Sequence, residues 1–198
     1  MMEREEMLIY IKKKLTPKRY VHSIGVEYTA ATMAFVHGED VQRARIAGLL
    51  HDCAKCIPVE EKLKKAEKFG LPVSDCERQN PDLLHGKLGA YYAANKCGVS
   101  DEEILSAITF HTTGKPEMTL LEKIIFVADY IEPNRRMIRE LPEIRKEAYT
   151  DLDRCVLHIL RNTLEYLDEK DTVIDDLTQK TYDYYMRHFQ AGEDMKHA

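Results

Sequence analysis

Four histidines and two aspartates are the residues of this sequence best suited to chemistry: His22, the adjacent pair His51-Asp52, His85, His111 and Asp129. His51 follows Ala47-Gly48-Leu49-Leu50, His85 follows Leu83-Leu84, and His111 follows Ala107-Ile108-Thr109-Phe110. Asp129 lies inside Ile124–Ile131, a run apolar on nearly every helical face. A carboxylate buried there must be neutral, paired or bound to a cation. Taken singly, each histidine reads as a hydrogen-bonded core residue, and Asp129 reads as a helix cap or a partner of arginine. Taken together, spread over five helical segments, they read as metal ligands. Imidazole mixed with carboxylate suits Fe, Mn, Ni or Zn better than Mg or Ca. Six candidates exceed the needs of one tetrahedral site and suit two metals sharing a carboxylate. Such pairs, ~3.5–4 Å apart, hydrolyse phosphoesters through a metal-activated hydroxide.

The elements that must position these side chains are all helical. Thr16-Pro17 reads as an N-cap with proline at the first helical position, opening a helix that stops at Gly38. Asp40 caps a second helix running through Lys55, and Pro58 opens a third that ends at Gly70. Pro81 precedes a helix ending at Gly98, and Ser100 with Glu103 reads as a capping box for the next. Thr119 with Glu122 forms a second box, starting the helix that holds Asp129 and stops near Pro133. Pro142 opens one long amphipathic segment reaching about Lys170, and Asp175 begins a last helix. No alternating strand pattern competes with this reading. The expectation is one all-α domain over 1–198, a bundle of about seven to nine helices, with a core over 17–140 and C-terminal helices over 142–190 packed on it. Tyr182, Tyr184 and Tyr185 pack internally or line a homodimer face; internal packing is the favoured reading. His37, His158, His188 and His197 have polar or terminal settings and read as surface or capping residues.

Composition bounds the function. Of 198 residues, 44% are hydrophobic and 32% charged, and the net charge of −5 argues against a nucleic-acid footprint. No window approaches the ~18 apolar residues of a membrane span. Five cysteines, an odd number, with no secretory leader at the start, read as reduced thiols of a cytoplasmic protein. Cys53-Ala54-Lys55-Cys56 is a CxxC without the βαβ context of a redox motif or further zinc ligands at short spacing, and reads as small residues near a helix end.

The order His22, His51-Asp52, Asp129 resembles the HD-domain phosphohydrolase superfamily, and the interposed His85 and His111 resemble its two-metal branch. Longer strings are more specific: Arg19-Tyr20-Val21-His22-Ser23, Ala44 to Lys55 (ARIAGLLHDCAK), Ile108 to Gly114 (ITFHTTG) and Leu121 to Arg135 (LEKIIFVADYIEPNR). These are similar to the YqeK-like family, bacterial HD-domain bis(5'-nucleosyl)-tetraphosphatases of the symmetrical type. The resemblance implies a two-metal, iron-dependent hydrolase that cuts diadenosine tetraphosphate into two ADP. By position, His22, His51, Asp52 and Asp129 would hold one metal, and Asp52 would bridge to a second held by His85 and His111. Cys53 stands where the family often has an aromatic residue, and Arg136 to Arg139 is less typical of it.

Around this centre, Lys55 lies four residues after His51 and, on a helix, would share its side; its ammonium would stabilise the leaving oxygen. Asn134 and Arg135 follow Pro133 at a helix end, where Arg135 could clasp phosphate, with Arg19 a further candidate. Thr113, Gly114 and Lys115 follow His111 and would line the pocket mouth. Arg136 and Arg139 read as a solvated face. Rival readings are another HD nucleotidase or phosphodiesterase, although the Gly-Tyr-Pro tripeptide of the latter does not occur, and a non-catalytic nucleotide sensor.

Overall fold

A computed structural model describes residues 1–136, 138 and 140–196, with side chains through residue 190. Arg139 and His197, assigned surface roles above, lie outside the described residues. The described chain forms eleven α-helices and one short 3-10 helix. They are α1 (Arg4–Lys14), α2 (Pro17–His37), α3 (Val41–Leu50), α4 (Val59–Lys68), α5 (Asp75–Gln79), the 3-10 helix Pro81–Leu84, α6 (His85–Cys97), α7 (Glu102–Phe110), α8 (Leu120–Ile131), α9 (Leu141–Thr150), α10 (Leu152–Glu169) and α11 (Asp176–Lys196). The all-α expectation holds, with more helices than the seven to nine expected.

The extra elements have local causes. Helix α1 has few sequence signals except charge. It is closed by reciprocal bonds between Glu3 and Glu6 and buries only Met7 and Ile11. The segment read as one helix from Pro142 to Lys170 breaks at Asp151, whose extended backbone ends α9 while its side chain accepts from Arg154 N to start α10. The box expected at Ser100 is absent, because Asp101 takes the N-cap and accepts from the amides of Glu103 and Ile104. The boxes at Thr119 and the cap at Asp40 form as the sequence indicates.

Helix α8 is the central rod. Leu121, Ile124, Ile125, Phe126 and Val127 are buried, contacted by α2, α3, α7, α9 and α10. At roughly 1.5–3 kcal/mol for each large apolar side chain buried, that packing outweighs the cost of carrying Asp129 among them, provided the carboxylate finds partners. Helices α2 and α3 turn back on each other through Gly38, whose φ of 78° favours glycine. Gly48 lets them approach closely: a Cβ there would lie 3.1 Å from the Glu27 backbone. Buried Glu27 is paired by Arg4 at 2.6 Å and Arg45 at 3.0 Å, which ties α1, α2 and α3 together. At the far end, Tyr185 is buried and Tyr182 and Tyr184 pack partly against the core, so α11 docks inward.

Candidate metal centre and nucleotide cavity

Three of the four histidines are placed by one device. The end of a helix leaves carbonyls without an intrahelical partner. His51 caps α3 and directs Nδ1 to Gly48 O at 2.7 Å; His111 caps α7 and directs Nδ1 to Ile108 O at 2.7 Å; His85 ends the 3-10 helix and directs Nδ1 to Asp82 O at 2.6 Å. A carbonyl can only accept, so each Nδ1 carries the proton and each Nε2 presents a lone pair. His22 lies within α2, where the carbonyls are committed to the helix. Its Nδ1 instead meets the buried Glu132 carboxylate at 3.1 Å.

The Nε2 atoms converge. His22 and His51 Nε2 are 3.3 Å apart, and His85 and His111 Nε2 are 3.1 Å apart. Facing lone pairs at this separation repel unless a cation lies between them. Asp52 presents a different oxygen to each pair. Its Oδ2 is 3.4 Å from His51 and 3.7 Å from His22; its Oδ1 is 3.5 Å from His85 and 3.7 Å from His111. Asp129 Oδ1 completes the first group, 3.0 Å from His22 and 3.8 Å from His51. That oxygen is buried and makes no hydrogen bond of normal geometry. His22, His51 and Asp129 place their ligand atoms within 4.8 Å of one another, as do His51, Asp52 and His111. The cluster is able to bind metal ions, and an orphaned buried oxygen beside four converging lone pairs fits that role.

The electrostatics agree. Burial favours the neutral form of His85 and, with the nearby Lys55 charge, pushes it down to about 3. Burial would raise Asp52 and Asp129, but the surrounding histidines hold both carboxyls below their ordinary range, with Arg135 adding to the effect on Asp129. For His22 burial acts downward, yet its contacts with Asp129 and Glu132 and the charge of Asp52 raise it.

A cavity of about 1060 Å³ opens from this cluster, lined by residues of α2, α8, α10 and the segments after α7 and α8. His22, His111 and Asp129 form part of its lining. Of the expected substrate contacts, Arg19, Asn134 and Arg135 line it. Arg19 Nη1 donates to Asp52 Oδ2 at 2.7 Å, and Arg135 lies over the Tyr130 ring with Nη1 4.0 Å from Asp129. Arg136 is exposed, as expected, and also lines the cavity.

Lys55 is beside the centre for a different reason than expected. Helix α3 ends at Leu50, and bonds spanning three residues carry the chain through 51–57, so no helical i, i+4 relation exists. The ammonium donates to Asp82 at 2.6 Å and lies 3.5 Å from His85 Nδ1. The loop after His111 does not line the cavity as expected. Lys115 pairs with buried Glu122 at 2.9 Å, Thr113 donates to Gly114 O, and Gly114 (φ 62°) packs against Thr181 and Met118. Its neighbour Thr112 lines the cavity instead, with Oγ1 3.2 Å from His85 Nε2. Glu132, Asp82 and the α10 wall of the cavity were not singled out from the sequence. Glu132 had one signal, an acid closing a buried helix just before proline. Cys53 is buried against Gly89 O while Cys56 is exposed, and neither is in a disulfide. His37 bonds Ala148 O, His158 lies between Glu140 and Glu147, and His188 packs on Tyr184.

Residues 19–134 match the HD domain model, and the chain belongs to the HD-domain family. It is 43% identical over 92% of its length to the symmetrical bis(5'-nucleosyl)-tetraphosphatase of Bacillus subtilis, covering 97% of that protein. It is 36% identical over 88% of its length to the Staphylococcus aureus protein of the same name, covering 90% of it. A crystal structure from Clostridium acetobutylicum, described as a "predicted HD superfamily hydrolase involved in NAD metabolism", superposes with a TM-score of 0.92 at 40% identity, over 95% of this chain and 99% of that one. No helix of the described residues is long and apolar enough to cross a membrane.

Proposed function

We propose that this protein hydrolyses diadenosine tetraphosphate symmetrically to two ADP, using two divalent metal ions. The observation that carries the reading is Asp52, whose two oxygens face two separate histidine pairs. His22, His51, Asp52 and Asp129 would hold one ion, and Asp52, His85 and His111 the other. Bound divalent ions acidify water and neutralise phosphate charge. The nitrogen and oxygen donor set accommodates Fe, Mn, Ni or Zn; iron is the choice favoured by the family resemblance.

The protein's own groups supply orientation. Arg19, beside Asp52, and Arg135, beside Asp129, are set to engage phosphate oxygens, with Asn134 lining the same cavity. Arg19 is held on Asp52 and can turn to a phosphate without leaving the cavity. Lys55, fixed by Asp82 next to His85, is placed to stabilise charge on the departing diphosphate. Thr113, Gly114 and Lys115 have structural contacts and take no part in this reading. Unpaired thiols fit a reducing, cytoplasmic setting.

The test is chromatography of the adenine products from diadenosine tetraphosphate, with metal analysis of anaerobically purified protein. ADP as the sole adenine product supports the proposal. ATP with AMP, or binding without turnover in the metal-loaded protein, contradicts it.

A further inference from the structure

Helix α10 contributes an asparagine to the cavity that the hydrolytic machinery does not use. Both amide atoms of Asn162 are buried, and neither makes a hydrogen bond of normal geometry. Burying a carboxamide without partners is costly, and such groups are rare in native structures. A surface helix could place a leucine there at no such cost. The amide also has company. Tyr130 raises one wall of the cavity and Tyr166 another, four residues along α10 from Asn162 and therefore on the same helix side. Burial raises the Tyr130 hydroxyl, and the Asn162 amide works against that rise, which sets the two groups near each other without a hydrogen bond of normal geometry between them.

We infer that Asn162 reads the Hoogsteen edge of an adenine ring seated between Tyr130 and Tyr166, and so sets the base preference of the site. A carboxamide offers one donor and one acceptor in a plane. Guanine, like adenine, offers an acceptor beside a donor on its Watson–Crick edge, but on the Hoogsteen edge adenine keeps that pair while guanine presents two acceptors, so an amide that selects adenine does so on the Hoogsteen edge. Aromatic rings on either side supply sequence-tolerant stacking, and the amide supplies the choice. The cationic residues Arg19 and Arg135 line the same cavity, so a base at Asn162 and phosphates at the ligand cluster belong to one molecule. The inference rests on the proposed dinucleotide substrate, but base preference is read from binding of nucleoside diphosphates and so is measured apart from cleavage.

The experiment is titration of metal-loaded protein with the product-type ligands ADP and GDP, using wild type, Asn162→Leu and Asn162→Asp. Circular dichroism and a thermal melt confirm that each variant is folded. Asn162→Leu removes both polar groups at similar size, and Asn162→Asp keeps the shape but removes the donor. Wild type is expected to prefer ADP by about tenfold or more, and each folded variant to reduce that preference to within about threefold. Equal wild-type affinity for ADP and GDP, absence of saturable binding of either, or a folded variant that keeps the preference overturns the inference. Symmetrical cleavage by the metal-loaded wild type would stand in all three cases, so failure here is distinguishable from failure of the proposed reaction.

Discussion

The Glu132 carboxylate occupies the space that a β-carbon on residue 25 would need, so Gly25 and Glu132 form one fitted pair across α2 and the end of α8. Glu132 Oε1 holds the Nδ1 edge of His22 at 3.1 Å, while Oε2 accepts from Asn134 N at 2.7 Å. One buried carboxylate thus orients His22 and fixes the start of the cavity loop.

Gly25→Ala should push Glu132 off His22. Removing such a supporting partner costs roughly 10–100-fold in metal affinity or activity. Competitive metal titration would show the loss, and Glu132→Gln, which keeps the size but not the charge, should give a smaller one. Unchanged affinity in folded Gly25→Ala would mean that Glu132 does not set His22.

Asp82 serves two lysines with its side chain and His85 with its backbone. Lys62 is 1% exposed and has Asp82 as its anionic partner. Asp82→Asn should therefore lower unfolding free energy by roughly 1–3 kcal/mol, less than a fully buried pair because Asp82 is partly exposed. Metal content should persist, since the carbonyl on His85 remains. Burial acts to raise the Asp82 carboxyl, but hydrogen bonds from Lys55 and Lys62 hold it at about 2. Its folded value lies below the unfolded value of about 4. The stabilisation it gives is thus complete above about pH 4 and lost as pH falls toward 2. Urea titrations at pH 6 and pH 3 should show the gap between wild type and Asp82→Asn narrowing at the lower pH.

The two basic residues that flank α8 in sequence should behave differently. Arg135→Ala removes a cavity guanidinium and should raise KM for the tetraphosphate by about tenfold, the scale of one charge-assisted contact. Lys115→Ala should leave KM within about twofold and instead lower the melting temperature, because it removes a cationic partner of buried Glu122 and leaves only its hydrogen bonds from Ser106 and the Thr119 amide. Steady-state kinetics beside thermal melts separates the two; a KM effect for Lys115 equal to that of Arg135 would contradict the placement.

Chelation should destabilise the protein. The facing nitrogens of His22 with His51 and of His85 with His111, and the buried Asp129 oxygen without a hydrogen bond, are favourable around cations. Metal binding the native state alone adds about 2.7 kcal/mol at a hundredfold excess over Kd. Melting temperature should fall on chelation and rise with metal concentration on readdition. A melt indifferent to metal would count against the cluster as a binding site.

The six ligand candidates were legible because chemistry and apolar context coincide: a histidine at the end of Ala47–Leu50 or Ala107–Phe110 must enter the interior where the helix stops. Gly38, Asp40, Thr119 and Pro133 marked real boundaries for the same local reasons. Asp151 was not legible, because within a charged amphipathic stretch an N-cap aspartate looks like any exposed one. The direction of a loop is not encoded in its composition. Lys115 could have reached either the cavity or Glu122, and tertiary packing against Met118 and Thr181 decided it. Lys55 came to the site by way of Asp82, a partner 27 residues away that helical spacing cannot reveal.

The central claim is that Asp52 joins two metal sites for hydrolysis of the tetraphosphate. The most direct measurement is metal content and product profile of wild type and Asp52→Ala, purified anaerobically side by side. Wild type should carry about two ions per chain and release ADP alone from diadenosine tetraphosphate. Asp52→Ala should retain its helical content, lose metal and lose nearly all turnover. Near-normal turnover by Asp52→Ala with both ions retained would contradict the account.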